Sequence, residues 1–421
     1  MKRLFVILCS ICCIAVNAQE YSHINSRNAS ANLNPYPAVT LDDTPVPEGY
    51  APFYISHYGR HGSRYLTHDV DFDMVMKYLE EAASKALLTQ VGKAMYHELK
   101  QIYDEQSELE GILTKRGAQE HYGIAERMVK NYPSVFDADG KVKKVNCVSS
   151  IVHRCLVSMN NFTLSMGKRL PDVDFSIMTG QRYMSYICMM SSAKYKEQHP
   201  VLVNKVRADQ KEDSLRRCIM DPSVMFKHLF TKPSKMLKVV DDPHYFCRHL
   251  YLASCNGFLT DANIDILRHY PTEELQKEWF LRNGRFYMAY AVSKENEELL
   301  EEVARPLLAD FIEKADIALK DESIAADLRF GHDTGLLPLV TYIGLEGQPA
   351  RLDFESISKF WNSSEKICMG SNIQMIFYKN ADNHILVKFR YNEVDTCLSG
   401  LTPDTGVFYD WSRVRSYLLS L

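Results

Sequence analysis

The sequence predicts an α/β fold built from two chain segments, with a mostly helical insertion between them. Short apolar runs typical of buried strands lie near both ends of the chain, at residues 53–55 and 373–391. The early run leads through a glycine-containing loop into a helical pattern, which makes a strand, loop, helix unit. Residues 158–320 are dominated by helical periodicity. A chain of 421 residues is also long enough for a large core with an insertion.

The first 18 residues predict a cleavable signal peptide. Lys2 and Arg3 precede an apolar run that ends at Val16, and small residues at Val16 and Ala18 fit a cleavage site after Ala18. The run is shorter than the roughly 20 residues that span a bilayer. No later segment is both that long and uncharged, so we expect no transmembrane anchor. These features predict a periplasmic or secreted protein.

The mature chain has the composition of an ordinary globular protein. Its 24% charged residues and net charge of -4 give no indication of a nucleic-acid partner. Export leaves eight cysteines, which lack the CxxC spacing of a zinc site, so no metal is expected and their disulfide pairing stays open. These cysteines are Cys147, Cys155, Cys188, Cys218, Cys247, Cys255, Cys368 and Cys397.

The first half of the predicted α/β part begins after a polar arm. Residues 19–49 lack an apolar period and predict an extended arm, with order beginning near Ala51. A short buried strand around residues 53–55 ends in the loop 58–62, and helices are predicted at 70–88 and 114–128. Val145 to Ser149 predicts another short strand that leads to His153 and Arg154.

The second half follows the insertion. Within 158–320 the clearest helix is Asn296 to Leu319, with a kink expected at Pro306. A strand at 326–330 runs into His332 and Asp333 and is followed by a helix at 336–343. Further strands are predicted at 373–378 and 385–391. We therefore assign residues 19–157 and 321–421 to an α/β catalytic domain and residues 158–320 to a helical insertion.

The most specific local pattern is Arg60-His61-Gly62-Ser63-Arg64, placed where a predicted strand ends and a helix begins. Ligands favour that end of the strands in an α/β sheet. A neutral imidazole can attack phosphorus without the charge repulsion that a carboxylate would meet, and its phosphorylated form is labile to water. The planar guanidinium groups of Arg60 and Arg64 suit phosphoryl oxygens. Alone, the loop is equally well explained as a basic surface turn.

Three further segments follow in a consistent order. Residues 111–117 contain Leu-Thr-x-x-Gly, residues 150–154 contain Ser-x-x-x-Arg, and His332-Asp333 stands between a strand and a helix. Together with Arg-His-Gly-x-Arg, this set resembles the histidine phosphatase superfamily, in its acid phosphatase and phytase branch. The resemblance covers nearly the whole mature chain. It implies a phosphoglycerate-mutase-like mixed sheet flanked by helices, with a mostly helical inserted domain.

The resemblance also implies roles for six residues and no cofactor. His61 would be the nucleophile that becomes phosphohistidine, and Asp333 would protonate the leaving oxygen. Arg60, Arg64, Arg154 and His332 would bind the phosphate. General chemistry agrees with the role of Asp333, because an alkoxide is a poor leaving group that needs a proton as the bond breaks.

The substrate is expected to be a small phosphomonoester, and two features suggest a polyanion. His153-Arg154-Cys155 and Arg64-Tyr65 look like the multiple inositol polyphosphate phosphatases, although those typically have His-Ala-Glu where this chain has His332-Asp333. The stretch 181–240 holds twelve basic and five acidic residues. A basic surface beside the cleft would concentrate a polyanion such as inositol hexakisphosphate. For the basic stretch, the alternative explanation is a solvated helix face. For the substrate, the alternative is that of a broad-specificity acid phosphatase or a sugar phosphatase.

Three other functions compete with hydrolysis by phosphohistidine. A phosphate-binding protein without turnover would lack the nucleophile or the acid, and both are present here. A mutase or phosphotransferase would exclude water, and the signal peptide argues against one. A metal hydrolase would use His57, His61 and His332 as ligands, and activity in excess chelator would exclude it. The sequence gives no indication of the oligomeric state.

Overall fold

The computed structural model describes residues 21–39, 44–137, 142–189 and 200–421, so the predicted signal peptide lies outside the described residues. Its centre is an eight-stranded mixed sheet with the order β3-β2-β4-β1-β5-β6-β7, in which β8 pairs with β6. The strands are β1 (Ala51–Arg60), β2 (Lys144–Ser149), β3 (Asp174–Thr179), β4 (Ile324–Gly331), β5 (Asn372–Lys379), β6 (Ile385–Tyr391), β7 (Val394–Thr396) and β8 (Phe408–Asp410).

Strand β1 lies at the change of direction within the sheet. It pairs in parallel with β4 and antiparallel with β5, while β2 is parallel to both β4 and β3. The remaining pairs, β5 with β6 and β6 with β7 and β8, are antiparallel. The four parallel strands therefore end at one edge of the sheet, and the loops that follow them meet there.

Helices cover the sheet and build the rest of the molecule. Those before β4 are α1 (Phe72–Ser84), α2 (Gln90–Gln106), α3 (Lys115–Asn131), α4 (Pro133–Phe136), α5 (His153–Gly167), α6 (Met184–Ile187), α7 (Pro200–Ile219), α8 (Pro222–Leu229), α9 (Pro233–Val239), α10 (Pro243–Cys255), α11 (Thr272–Tyr290) and α12 (Glu297–Ala318). Those after it are α13 (Asp333–Tyr342), α14 (Phe354–Phe360), α15 (Ser363–Lys366) and α16 (Trp411–Ser420).

The elements predicted from periodicity are confirmed with small changes at their ends. The helix expected at 114–128 is α3, whose first turn is capped by the Thr114 side chain accepting from Gly117 N. The helix expected from Asn296 to Leu319 is α12, and Pro306 lies inside it. The strands expected at 326–330, 373–378 and 385–391 are β4, β5 and β6.

The expectation that order begins near Ala51 is wrong. Tyr21, Ile24 and Leu33 are buried in the main hydrophobic core, and residues Ala31–Leu33 form a turn of 3₁₀ helix. Gln276 of α11 donates to Tyr21 O at 2.9 Å. The arm contains too few apolar residues to show a helical or strand period, yet Tyr21, Ile24 and Leu33 bury in a core formed with distant helices.

The helical part of the molecule is more extensive than the sequence indicates. Helices α1 and α2 pack against α10 and α8, so residues before 158 also contribute to it. Strand β3, in contrast, lies within 158–320 and extends the sheet beside β2. The division into an α/β domain of 19–157 and 321–421 and an insertion of 158–320 stays our proposal for the domain organisation.

Two further observations on the described residues concern disulfide bonds and membrane-spanning helices. All eight cysteines there are free thiols, and Cys218 is the exposed one. Of the helices that the structure describes, none is long and apolar enough to cross a membrane.

Candidate active site

The pairing of β1 with β4 brings the two histidine motifs together. Arg60 at the end of β1 is in register with Gly331 at the end of β4, and His61 N donates to Gly331 O at 2.9 Å. His61 and His332 therefore follow neighbouring strands at the same edge of the sheet. Their ring centroids are 5.6 Å apart, with the rings nearly perpendicular.

Two glycines let the loop after β1 lie directly on helix α3. A Cβ on Gly62 would lie 2.4 Å from Gly117 O, and a Cβ on Gly117 would lie 2.2 Å from Ser63 O. Both positions thus require glycine because backbone touches backbone. Glu120, one turn further along α3, accepts from Ser63 N and Ser63 Oγ at 2.7 Å each. These contacts are the physical reason why the 111–117 segment lies directly against the His61 loop.

The His61 ring is buried and its hydrogen bond fixes its tautomer. Nδ1 lies 2.9 Å from Gly62 O, a carbonyl oxygen that can only accept, so Nδ1 carries the proton and Nε2 is left with a free lone pair. Burial and the neighbouring positive charges, that of Arg154 above all, hold the pKa of His61 well below its ordinary value. The imidazole is therefore neutral and nucleophilic at mildly acidic pH.

Two arginines beside His61 have no carboxylate partner among the described residues. Arg64 donates to Tyr65 O at 2.8 Å, and its Nε is buried without a partner. Arg154, in the first turn of α5, forms no hydrogen bond or ion pair there, and its Nε is likewise buried. Burial lowers the pKa of Arg64 to about 9, with the charge of Arg154 acting in the same direction. Half-buried positive charge without a carboxylate partner is suited to a bound dianion.

Arg60 and Asp333 form an ion pair at the rim of this group. Arg60 Nη2 lies 2.9 Å from Asp333 Oδ2, while Arg60 Nη1 donates to Asn32 O at 2.8 Å and to Ile367 O at 2.6 Å. Burial alone would raise the pKa of Asp333, but Arg60 and then the other neighbouring positive groups hold it below its ordinary value. Asp333 beside Arg60 is thus a carboxylate.

His332 is held by two small side chains. Ser150 Oγ accepts from Val152 N at 3.2 Å and lies 3.1 Å from His332 Nε2, to which its own hydrogen can be donated. Cys155 Sγ lies 3.4 Å from the same nitrogen and donates to Gly331 O. Burial, followed by the charge of Arg154, lowers the pKa of His332 to about 3. The ring is therefore neutral and fixed in orientation.

The structure brings all six predicted site residues close together at the edge of the sheet. It adds neighbours that the sequence reasoning did not assign. Asn32 of the arm donates to Asp333 Oδ2 at 3.2 Å, and Ser158 Oγ accepts from Gly62 N at 3.1 Å. No sequence signal marked Asn32, because it stands in a polar stretch without a period. Cys155 and Ser150 could have been noted because they flank Arg154 in a matched motif.

His57, the third histidine of the metal-hydrolase alternative, lies elsewhere. Its ring packs between Phe162 and Phe330, at 5.5 Å from each ring centroid, and burial lowers its pKa to about 3. In the part of the chain that the structure describes, no group of three or more His, Cys, Asp or Glu residues is arranged to hold a metal ion.

The fold and the pocket together define a class of protein. A neutral imidazole with a free Nε2, surrounded by arginines and close to a carboxyl group, can provide a nucleophile and a phosphate cradle, with a group beside them that can carry a proton. At the carboxyl edge of an α/β sheet, this arrangement is chemically suited to phosphoryl transfer.

Comparison with known proteins gives the family. The model of the histidine phosphatase superfamily, branch 2, matches residues 59–392. The chain belongs to this superfamily and is a phosphoric monoester hydrolase. A comparison with curated protein sequences gives no match.

Solved structures share the fold across nearly the whole chain. The multiple inositol polyphosphate phosphatase of Bifidobacterium longum, in complex with inositol hexasulfate, has 19% identity and a TM-score of 0.71, with 93% of this chain and 97% of that chain covered. Its complex with phosphate gives a TM-score of 0.73 at the same identity and coverage. The phytase of D. castellii has 13% identity and a TM-score of 0.70, with 95% of this chain and 86% of that chain covered.

Proposed function

We propose that this chain is an exported phosphatase that hydrolyses phosphomonoesters of inositol polyphosphates through a phosphohistidine at His61. The observation that carries the mechanism is the neutral, buried His61 with its free Nε2 beside the unpaired Arg64 and Arg154. His332 and Arg60 complete the donors around the phosphate.

In the first step, His61 Nε2 attacks phosphorus and the bond to the ester oxygen breaks. The electron pair of that bond goes to the leaving oxygen, which takes a proton from Asp333 and departs as an alcohol. In the second step, water attacks the phosphorus of phosphohistidine and gives a proton to the Asp333 carboxylate. Inorganic phosphate leaves, and His61 returns to its neutral form.

The charge of the pocket explains how Asp333 can act as an acid. By itself, the ion pair with Arg60 favours the carboxylate form of Asp333. A bound phosphate dianion offsets the positive charge of the arginines, so the pKa of Asp333 rises when substrate is present. Asp333 is then protonated at mildly acidic pH, and we expect activity to fall as the pH rises.

The preference for inositol polyphosphates rests on charge and on the solved relatives of the same fold. Part of the basic stretch 181–240 is neutralised within the structure: Arg216 is buried between Glu212 and Glu278, and Arg217 pairs with Asp213. These pairs favour the interpretation of that stretch as ordinary helix surface.

Positive charge without an ion pair among the described residues also lies on α11. Arg282 forms no ion pair or hydrogen bond with the described residues, and its Nε is buried without a partner. The charges of both Arg282 and Arg64 act on Asp69, so Arg282 belongs to the electrostatic surroundings of the pocket. We propose Arg282 as a contact for a phosphate that is not reacting. A broad-specificity acid or sugar phosphatase would not need this charge.

The experiment that tests the mechanism uses His61→Ala, with His68→Ala as the matched control because His68 is exposed in the following loop. Turnover of His61→Ala should be abolished while its thermal unfolding stays cooperative, and His68→Ala should keep full activity. Rapid quenching of the native enzyme at alkaline pH should trap labelled phosphate on His61. Appreciable activity of His61→Ala, or label on an aspartate or serine, would show that the nucleophile is another residue.

A phosphate-release screen tests the substrate. Inositol hexakisphosphate should have a higher kcat/KM than a sugar phosphate or an aryl phosphate, and Arg282→Ala should reduce that preference. If the three substrates are hydrolysed with equal kcat/KM, the enzyme is a broad-specificity phosphatase.

A further inference from the structure

Asn32 is the point at which the N-terminal arm enters the active site. It lies in the 3₁₀ turn Ala31–Leu33 and is 4% exposed. Its backbone oxygen accepts from Arg60 Nη1 at 2.8 Å, and its side chain reaches Asp333. The turn is anchored by the buried Leu33 on one side and by Asn34, which donates to Ser364 O at 3.0 Å, on the other.

The two oxygens of Asp333 have different surroundings. Oδ2 faces two donors, Arg60 Nη2 at 2.9 Å and Asn32 Nδ2 at 3.2 Å. Oδ1 accepts a single hydrogen bond, from Thr334 N at 2.9 Å. Each oxygen thus accepts one hydrogen bond, but only Oδ2 also forms an ion pair with the Arg60 guanidinium. The positive charge beside Oδ2 opposes a proton there, so the proton of the neutral acid is favoured on Oδ1.

Asn32 is poorly explained as a residue that serves stability alone. Its Oδ1 is buried and has no hydrogen-bond partner among the described residues, which is unfavourable for folding. The preceding residue, Ala31, has a φ of 51°, in the left-handed region that costs energy for a residue with a Cβ. Local strain and an unsatisfied acceptor next to an active site indicate that function determines this conformation.

We propose that Asn32 is a positioning residue for the acid step: with Arg60 it occupies Asp333 Oδ2, so that the proton given to the leaving oxygen is held on Oδ1. This inference rests on the proposed role of Asp333 as the acid. The Asn32 amide also stabilises the carboxylate form, because its N–H donates to the charged oxygen. Asn32 thus affects both the orientation of the acid and the pH at which it loses its proton.

The test compares Asn32→Ala and Asn32→Asp with Asn34→Ala, a matched control on the same arm that does not contact Asp333. The rate of phosphoenzyme formation is measured by rapid quench across pH, with a sugar phosphate and with nitrophenyl phosphate at saturation. Asn32→Ala should slow the sugar phosphate about 10-fold and the aryl ester much less. The alkaline limb of its pH–rate profile should move upward by about one pH unit, because the Asp333 carboxylate loses a hydrogen-bond donor.

Asn32→Asp should move the same limb further upward, since a second negative charge opposes ionisation of Asp333. Asn34→Ala should lower stability without moving the limb. If Asn32→Ala leaves the limb in place, slows both esters equally, or behaves like Asn34→Ala, the positioning role is wrong. The Asn32→Asp result decides the matter on its own if Asn32→Ala does not fold.

The double variant Asn32→Ala with Asp333→Asn separates this inference from the proposed function. If Asn32 acts through Asp333, the arm substitution should have no further effect once Asp333 is replaced. A further loss in the double variant would show that Asn32 acts on something else. If Asp333→Asn alone shows no dependence on the leaving group, the acid assignment itself fails, whatever Asn32 does.

Discussion

The replacement Asp333→Asn tests the acid step of the proposed mechanism. The side chain keeps its size, and its amide oxygen can take the place of Oδ2 between Arg60 and Asn32. The amide nitrogen then faces Thr334 N, so one hydrogen bond is replaced by two opposed donors. We expect this local change to cost about 1–3 kcal/mol of stability, which a folded hydrolase of this size can tolerate.

The kinetic effect should depend on the leaving group. Inositol and sugar alkoxides need a proton in the transition state, and a positioned acid contributes about 10²- to 10⁴-fold. A nitrophenolate is already stable near neutral pH and hardly needs the proton. Asp333→Asn should therefore slow phosphoenzyme formation from inositol or sugar phosphates by about that factor, and from nitrophenyl phosphate much less. Loss of a negative charge beside Arg60 should also tighten the binding of inorganic phosphate.

The assay must isolate the first chemical step. Rapid-quench measurement of phosphohistidine formation does so, whereas steady-state rates would also report any role of Asp333 in activating water. Asp316→Asn is a suitable control, because Asp316 pairs with Arg415 on the surface at 2.8 Å. If both kinds of ester slow equally in the first step, Asp333 organises the pocket and the acid is another residue.

Three further predictions concern charge, packing and pH. The KM for inositol hexakisphosphate should rise steeply with salt, and that for a monovalent aryl phosphate less, because screening weakens attraction to the arginines; equal responses would contradict a polyanion site. Gly117→Ala should lower the free energy of unfolding in urea by about 1–3 kcal/mol, because its Cβ would meet Ser63 O, whereas Gly167→Ala, where nothing lies within 4 Å, should not. Burial lowers the pKa of His57 to about 3 in the folded protein, from an ordinary value of 6.5. The free energy of unfolding is therefore not reduced by His57 above pH 6.5, and it decreases as the pH falls towards 3, because the unfolded chain binds the proton first. In denaturant titrations, the native protein should lose free energy of unfolding between pH 7 and pH 4, and this loss should be about 3 kcal/mol smaller in His57→Phe. An unchanged loss would show that other groups cause the sensitivity to acid.

The sequence by itself determined the elements that carry the chemistry. The strand that ends at Arg60 and the strand that ends at Gly331 could be located because short apolar runs lead directly into polar, glycine-containing loops. The helices α3 and α12 could be located because a helix that covers a core repeats its apolar residues every three to four positions. Patterns of this kind are local, so one chain is enough to show them.

Only the tertiary structure decided how distant parts of the chain meet. Asn32 and Asp333 are 301 positions apart, and nothing in the arm's composition indicates their contact. Likewise, β3 is mostly exposed, and it becomes a strand of the sheet through its pairing with β2. Within the basic stretch 181–240, Arg216 forms a buried ion pair with Glu278, which lies outside that stretch. Hydrogen bonds and ion pairs between remote residues depend on relative position in space, which the periodicity of a sequence does not encode.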